Sequence, residues 1–305
     1  MSQGTSSEGP LTHDLIICTR NRPGDLAAAM TTVEAQTRPF DSVLVVDSSD
    51  TDESELLVRA SERGGRYRYV RSPPGLTVQR NRGVQHSRAD VIHFVDDDVL
   101  LEKDYLGSLA ATFEAPDAGD VVGAGGIITN LPERHPRLWW RVALMDSRRE
   151  GVVLPSGINT LVSEADQPKR VQWLSGCSMS YRRSLFESLS FDETLGGYGL
   201  MEDVDFSVRA ARTGRLLVTP HARLVHNVSP VERWDFQRRT RASVYRRGWF
   251  VEKNLPRRCR AAFWWSVVAG TALSAALAIG TGSRWRMRIA GWQVLGAKDF
   301  LQGKR

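Results

Sequence analysis

Four short, largely apolar runs, each ending in polar residues and each separated from the next by a segment of helical length, constrain this chain more than any other feature. Leu15-Ile16-Ile17-Cys18 stops at Thr19-Arg20-Asn21, and Ser42 to Val46 stops at Asp47-Ser48-Ser49. Tyr67 to Val70 is followed by a loop, and Val91 to Val95 stops at Asp96-Asp97-Asp98. The segments between them, Gly24–Gln36, Glu53–Arg63 and Thr77–Ser87, read as helices. Strands that are apolar throughout, and not alternating, are buried on both faces. Strand and helix in strict alternation therefore predict an α/β fold: a mainly parallel sheet with helices on both faces. In such sheets ligands bind beyond the carboxyl ends of the strands, which is where the polar residues cluster here. The chain has no GxGxxG and no GxxxxGK[ST], which disfavours dinucleotide and P-loop chemistry.

Beyond Glu102 the alternation blurs, and residues 130–170 carry no clear period. Trp173 to Tyr181 reads as a glycine turn feeding a strand. Gly196 to Gly199 leads into a helix over Glu202–Ala210 with acids in its first turn. Leu216–Val218 and Ala222–His226 read as two short strands. Residues 1–12 lack a basic start and an apolar core, so they predict a flexible tail and no secretory signal. Cys18, Cys177 and Cys259 are far apart with no CxxC, which points to a reducing cytosol.

Charge divides the chain after residue 232. Residues 233–260 hold ten Lys/Arg against Asp235 and Glu252, a balance of +8, and residues 284–305 hold six against Asp299, a balance of +5. The whole chain is only +6, so the body is −7. Such a tail needs a negative partner, and no recognised motif accompanies the basic residues to suggest a nucleic acid. Between the basic stretches, residues 261–283 are uncharged and long enough to cross ~30 Å of hydrocarbon as a helix. Trp264 and Trp265 at one end resemble an interfacial anchor. Trp285, Ile289 and Trp292 lie at helical spacing among Arg284, Arg286 and Arg288, the pattern of a basic amphipathic helix in a membrane interface. Two ordinary helices packed on the body remain the alternative. The expected division is thus a tail at 1–12, a catalytic domain at 13–232 and a basic helical extension at 233–305.

Three clusters can carry chemistry. Asp96-Asp97-Asp98 repel one another without a cation, and oxygen ligands suit Mg²⁺ or Mn²⁺; a solvated acidic turn is the alternative. If His226 joins Asp98, the mixed nitrogen and oxygen set favours Mn²⁺, although a lone histidine is more often structural. Glu202-Asp203 opens a helix, where the dipole favours carboxylates, or it supplies a general base. Asp47 either accepts from a nucleobase N–H or forms an Asx turn.

Taken in order, Thr19 to Arg22, Val45-Val46-Asp47, Arg80 to Gly83, Asp96-Asp97-Asp98, Trp173 to Cys177, Glu202-Asp203 and His226 closely resemble the family 2 glycosyltransferases, inverting enzymes of the GT-A fold. The resemblance covers residues 13–230. It implies transfer of a sugar from a nucleotide-diphosphate-sugar donor to an acceptor hydroxyl, in cell-surface glycan or glycolipid synthesis. By that resemblance Thr19, Arg20 and Asn21 line the nucleotide pocket, Asp47 meets the base, and Arg80 approaches the base or the diphosphate. Asp96 and Asp98 form the DxD, Asp98 touching the metal, Asp96 near the ribose or the metal, and Asp97 lying beside the donor. Trp173 and Gly176 shape the sugar and acceptor cleft, Asp203 is the base with Glu202 as its neighbour, and His226 completes the metal site. The implied cofactor is Mn²⁺ or Mg²⁺. The implied acceptor is a glycan, a lipid-linked sugar or a small molecule, met at the cytoplasmic face of an anionic membrane. A nucleotidyltransferase shares such a sheet but wants a glycine-rich loop after the first strand, which TRNRP lacks. A non-catalytic nucleotide-binding relative is the other alternative, against which intact Asp98 and Asp203 argue.

Overall fold

A computed structural model describes residues 9–61, 65–133, 135, 137–196, 199–229 and 235–303. The expected flexible tail therefore lies mostly outside the described residues, as do Gly197 and Tyr198 of the glycine loop.

The opening alternation forms as expected: β1 (His13–Thr19), α1 (Pro23–Glu34), β2 (Ser42–Asp47), α2 (Glu53–Ala60), β3 (Tyr67–Arg71), α3 (Leu76–His86) and β4 (Val91–Asp96). These four strands pair in parallel, in the order β3-β2-β1-β4. The period of two shows in which core each residue joins. Leu15, Ile17, Val43 and Val45 face α1, α2 and a later helix, α4 (Tyr105–Glu114). Ile16, Cys18, Leu44 and Val46 face the opposite core, which contains Phe206 and Ala210 of α6 (Glu202–Ala210). Both faces of β1 and β2 are thus dry, which is why Leu15–Cys18 and Val43–Val46 are unbroken hydrophobes.

The sheet continues through β5 (Val99–Leu101), β6 (Val121–Ile128), β7 (Lys169–Val171), β8 (Met179–Arg182) and β9 (Arg215–His226), with α5 (Leu138–Val142) before β7. The order is β3-β2-β1-β4-β8-β6-β9-β5, with β7 also on β9. This second half is mixed: β8 runs antiparallel to β4 and β6, and β9 is parallel to β6 but antiparallel to β5 and β7. The two short strands expected at 216–226 are one bent strand. It crosses Pro220 by changing partners, pairing with β7 before the bend and β5 after it.

Past residue 234 come α7 (Phe236–Asn254), α8 (Cys259–Thr281) and α9 (Arg284–Leu301). They are not a detached appendage. Val244, Phe250, Val251 and Phe263 form a third core together with Trp173 and Val204 of the body. The tryptophan pair splits. Trp264 packs on Phe263 and Phe300, whereas Trp265 is 51% exposed and donates its indole N–H to the Val142 carbonyl. Successive helical residues point about 100° apart, so the two cannot share one interface-facing direction. Trp285 and Trp292 meet edge to face, and both pack at a tilt against Phe236.

Candidate active site

A cleft of about 810 Å³ opens beyond the carboxyl ends of β1 and β4. Thr19, Arg20, Arg80, the three aspartates, Gly176, Glu202, Asp203 and His226 all line it. Three expected residues do not. Asn21 holds a left-handed φ of 55° and its amide exchanges hydrogen bonds with Asp50. Asp47 is fully buried and accepts from the Ser49 amide, which is an Asx turn, and from the Tyr69 hydroxyl. Trp173 is buried in the third core, where its indole N–H donates to the Thr160 carbonyl.

The acidic end is assembled by strand register. β5 starts one residue after Asp98, and Val99 pairs with His226, so the ladder brings together two residues 128 positions apart. His226 Nε2 lies 3.1 Å from Asp98 Oδ1, while the Ser229 amide donates to Asp98 Oδ2. Asp97 turns the other way, accepting from Thr19 Oγ1 at 2.7 Å and Arg22 Nη1 at 3.0 Å. Burial pushes Asp97 up to about 7, against the pull of Arg22 and Thr19. Burial opposes a charged His226, yet its hydrogen bonds to Asp98 and Cys177 outweigh this and push it up to about 10.

These residues fit a divalent ion. Ligand atoms of Asp96, Asp98 and His226 all lie within 4.8 Å of one another. Two carboxylate oxygens and an imidazole nitrogen form a donor set that suits Mn²⁺ or Mg²⁺. The negative surroundings that hold a proton on His226 also favour a cation in its place.

The opposite wall is the start of α6. Asp203 Oδ2 accepts from the Gly176 amide at 3.0 Å and Oδ1 from the Val204 amide at 2.8 Å. Burial pushes Asp203 above the usual carboxylate range. Burial and then the neighbouring Asp203 push Glu202 up to about 8. Between the walls sits Arg80, 2% exposed, with Nη1 on Glu202 at 2.8 Å and Nη2 near Asp96 at 3.4 Å and on the Gly176 carbonyl at 3.1 Å. Arg80 thus ties the two walls together through its guanidinium while also lining the cleft.

Sequence reasoning missed Arg22, which lines the cleft and holds Asp97. It stands in the Thr19 to Arg22 loop, but spacing cannot say which of its two arginines turns inward. Arg238 and Arg239, at the start of α7, also reach the rim; they were visible only as members of a basic run.

The model of a family described as "Glycosyl transferase family 2" matches residues 14–189. Glycosyltransferase GlyA of Streptococcus pneumoniae serotype 4 (strain ATCC BAA-334 / TIGR4) is 27% identical over 180 residues, which are 58% of this chain and 25% of that protein. The chain therefore spans about a quarter of that relative's length. Among solved structures, the mannosyltransferase PcManGT from Pyrobaculum calidifontis, in complex with GDP-Man and Mn²⁺, aligns with a TM-score of 0.60 at 16% identity, covering 97% of this chain and 89% of that one. S. aureus TarS 1-349 aligns with a TM-score of 0.58 at 16% identity, covering 96% and 80%. At these identities the likeness is one of fold, and it extends through the C-terminal helices.

Proposed function

The chain belongs to glycosyl transferase family 2, and from that membership we propose that it moves a sugar from a nucleotide-diphosphate-sugar to an acceptor hydroxyl with inversion at the anomeric carbon. One observation carries the reading: the Asp96, Asp98 and His226 group and the Asp203 carboxylate face one cleft. The relatives add context, since PcManGT is described in complex with GDP-Man and Mn²⁺.

Asp96, Asp98 and His226 would hold Mn²⁺ or Mg²⁺, whose charge offsets that of the departing diphosphate. Thr19 and Arg20, at the end of β1, would meet the nucleotide. Arg80 would act indirectly, by fixing the acidic end against the base end. Asp203, held by two backbone amides, would take the proton of the acceptor hydroxyl. The oxygen then bonds to the anomeric carbon from the face opposite the diphosphate, and the bond to the leaving oxygen breaks with its electron pair going to the nucleotide. A single displacement needs a base and no protein nucleophile. Positioned base catalysis contributes about 10²–10⁴-fold.

The acceptor side extends to the cell membrane. We place the protein at the cytoplasmic face of an anionic bilayer, with a lipid-linked or membrane-proximal acceptor, because nucleotide sugars are made inside and the tail is strongly basic.

The test is metal removal combined with Asp98→Ala. Nucleotide sugars are screened by melting temperature with Mn²⁺, and turnover of the best donor is then followed. EDTA should abolish turnover and Mn²⁺ restore it, whereas Asp98→Ala should stay inactive with the fold intact. Full activity in EDTA overturns the reading.

A further inference from the structure

A second cavity, of about 170 Å³, lies behind the cleft, between α7, α8, α9 and the segment 145–159. Leu200 and Met201 line both spaces, and Met201 immediately precedes Glu202-Asp203. The charged residue on the wall of this cavity is Arg247, 5% exposed.

The surroundings of Arg247 are unusual for a buried cation. Its Nε has no hydrogen-bond partner, and Nη1 meets the Met145 sulfur, a weak acceptor, at 3.1 Å. Its guanidinium lies 5.3 Å above the Phe263 ring. Among the described residues no carboxylate forms an ion pair with it. Burial is the one influence on its proton and pulls its pKa down to about 10, so at neutral pH it remains charged. A buried charge without a counter-ion is strongly unfavourable. Here the protein keeps the charge and even shapes the chain around it. Gly157, at φ 81°, lets the 154–158 turn close over the arginine stem; a Cβ there would lie 2.7 Å from Arg247 Cγ.

We infer that this cavity is an acceptor subsite for an anionic group, a carboxylate or a phosphate carried by the acceptor, with Arg247 as its ligand. The inference rests on the glycosyl-transfer reading above. Arginine's planar fork matches both anions in two-point geometry. The volume suits such a group and a little more, and is too small for a nucleotide. The position is on the base side of the cleft, behind Met201, which precedes Glu202-Asp203, and away from the acidic end. An anion seated there tethers an acceptor whose hydroxyl reaches Asp203. The amides of Asn159 and Gln293 share the wall.

The test uses the full chain and Arg247→Met, which keeps most of the stem volume and removes the charge. Melting temperature is followed in anion-poor buffer as inorganic phosphate, acetate, glucose 6-phosphate, glucuronate and glucose are added separately. A ligand of the native state raises the melting temperature by mass action. The phosphate pair or the carboxylate pair should raise it by a few degrees in the unsubstituted protein and not in Arg247→Met, and glucose should do nothing in either. The sugar-bearing anion should half-saturate at a concentration at least about tenfold lower than its bare counterpart. In the absence of anion Arg247→Met should melt higher, because it relieves an unpaired charge. Three results overturn the proposal: equal shifts in both proteins, no shift with any anion, or a lower melting point for Arg247→Met without anion, which marks a packing role. Equal half-saturation by bare and sugar-bearing anions overturns the assignment to the acceptor. Mn²⁺-dependent donor hydrolysis is measured on the same samples; its absence sinks the glycosyl-transfer reading and leaves the anion result standing.

Discussion

Asp203 has a half-buried carboxylate with one backbone amide on each oxygen, and the task of base proposed for it depends on how those surroundings move its proton. Burial raises its pKa above the ordinary aspartate value, and Arg80 only partly offsets this. A raised carboxyl pKa leaves the base protonated at low pH, so the rate at saturating substrates should climb with pH and level off above that pKa. Asp203→Asn should reduce that rate by at least about 10²-fold with donor affinity nearly unchanged; a collapse of donor affinity at normal rate would make it a binding residue. Glu202→Gln supplies the sign test. With its pKa pushed up to about 8 by burial and by an ionised Asp203, Glu202 still holds its proton where Asp203 titrates, so the substitution removes no charge there. The acid limb of the profile should therefore stay in place, and a shift to lower pH would show that Glu202 is ionised beside Asp203. At this scale the sequence is informative about residues whose neighbours lie close along the chain, such as the Glu202-Asp203 pair and the three aspartates. Arg80 is the opposite case. Its partner Glu202 lies 122 positions away, and no motif spacing could tell that Glu202 and the Gly176 carbonyl hold its guanidinium.

The elements that position these residues meet at close range. Gly83 of α3 sits against β1, and a Cβ there would come within 2.7 Å of Ile16 Cγ2 and 2.9 Å of Cδ1. Ile16 is fully buried and β-branched, so it has little room to give. Gly83→Ala gains about 1 kcal/mol of helix propensity but overpacks a closed core, which costs about 1–3 kcal/mol. The expected net effect is a loss of about 1 kcal/mol in urea denaturation. Turnover should fall as well, since Arg80 is one turn earlier on the same helix; a stabilised, fully active variant would show that α3 can slide off β1. Strands β1, β2 and β4 were legible because they are buried on both faces and bounded by polar residues, whereas β3, an edge strand with Arg68 and Arg71 exposed, was legible from its place in the alternation. Residues 130–170 were not. Their order comes from short pieces, α5, β7 and the Val153–Asn159 bridge, held by side chains such as Thr160 and Glu150 rather than by a periodic face. The strand β9 was read as two because Pro220 interrupts the pattern, whereas the backbone bends through it and changes partners.

Across the whole molecule, charge and apolar exposure gather on the C-terminal helices. Arg284, Arg286 and Arg288 are exposed in the first turns of α9, where the helix dipole disfavours cations. Their cluster is thus better explained by an external negative partner than by local stability. Exposed apolar side chains include Trp265, Val268 and Ile279 of α8 and Leu138, Trp139 and Val142 of α5, which Trp265 reaches through the Val142 carbonyl. The helix Cys259–Thr281 is long and apolar enough to cross a bilayer, with 33% of its most apolar window buried. A single crossing would export the six basic residues after it, against the positive-inside tendency, so we favour helices resting in the interface. Deleting 233–305 is a poor test, because Phe250, Val251 and Phe263 pack with Val204 of the helix that carries Asp203. Substituting the three arginines by glutamine leaves that core intact. Each exposed basic residue contributes about 1 kcal/mol near an anionic leaflet, so together they should account for about two orders of magnitude in vesicle affinity at low salt. The full chain should sediment with anionic vesicles, less so at high salt, and the triple variant should need about a hundredfold more lipid at low salt. If both proteins stay in the supernatant with neutral and anionic lipid alike, the tail is a packed helical cap and its charge serves something other than a membrane.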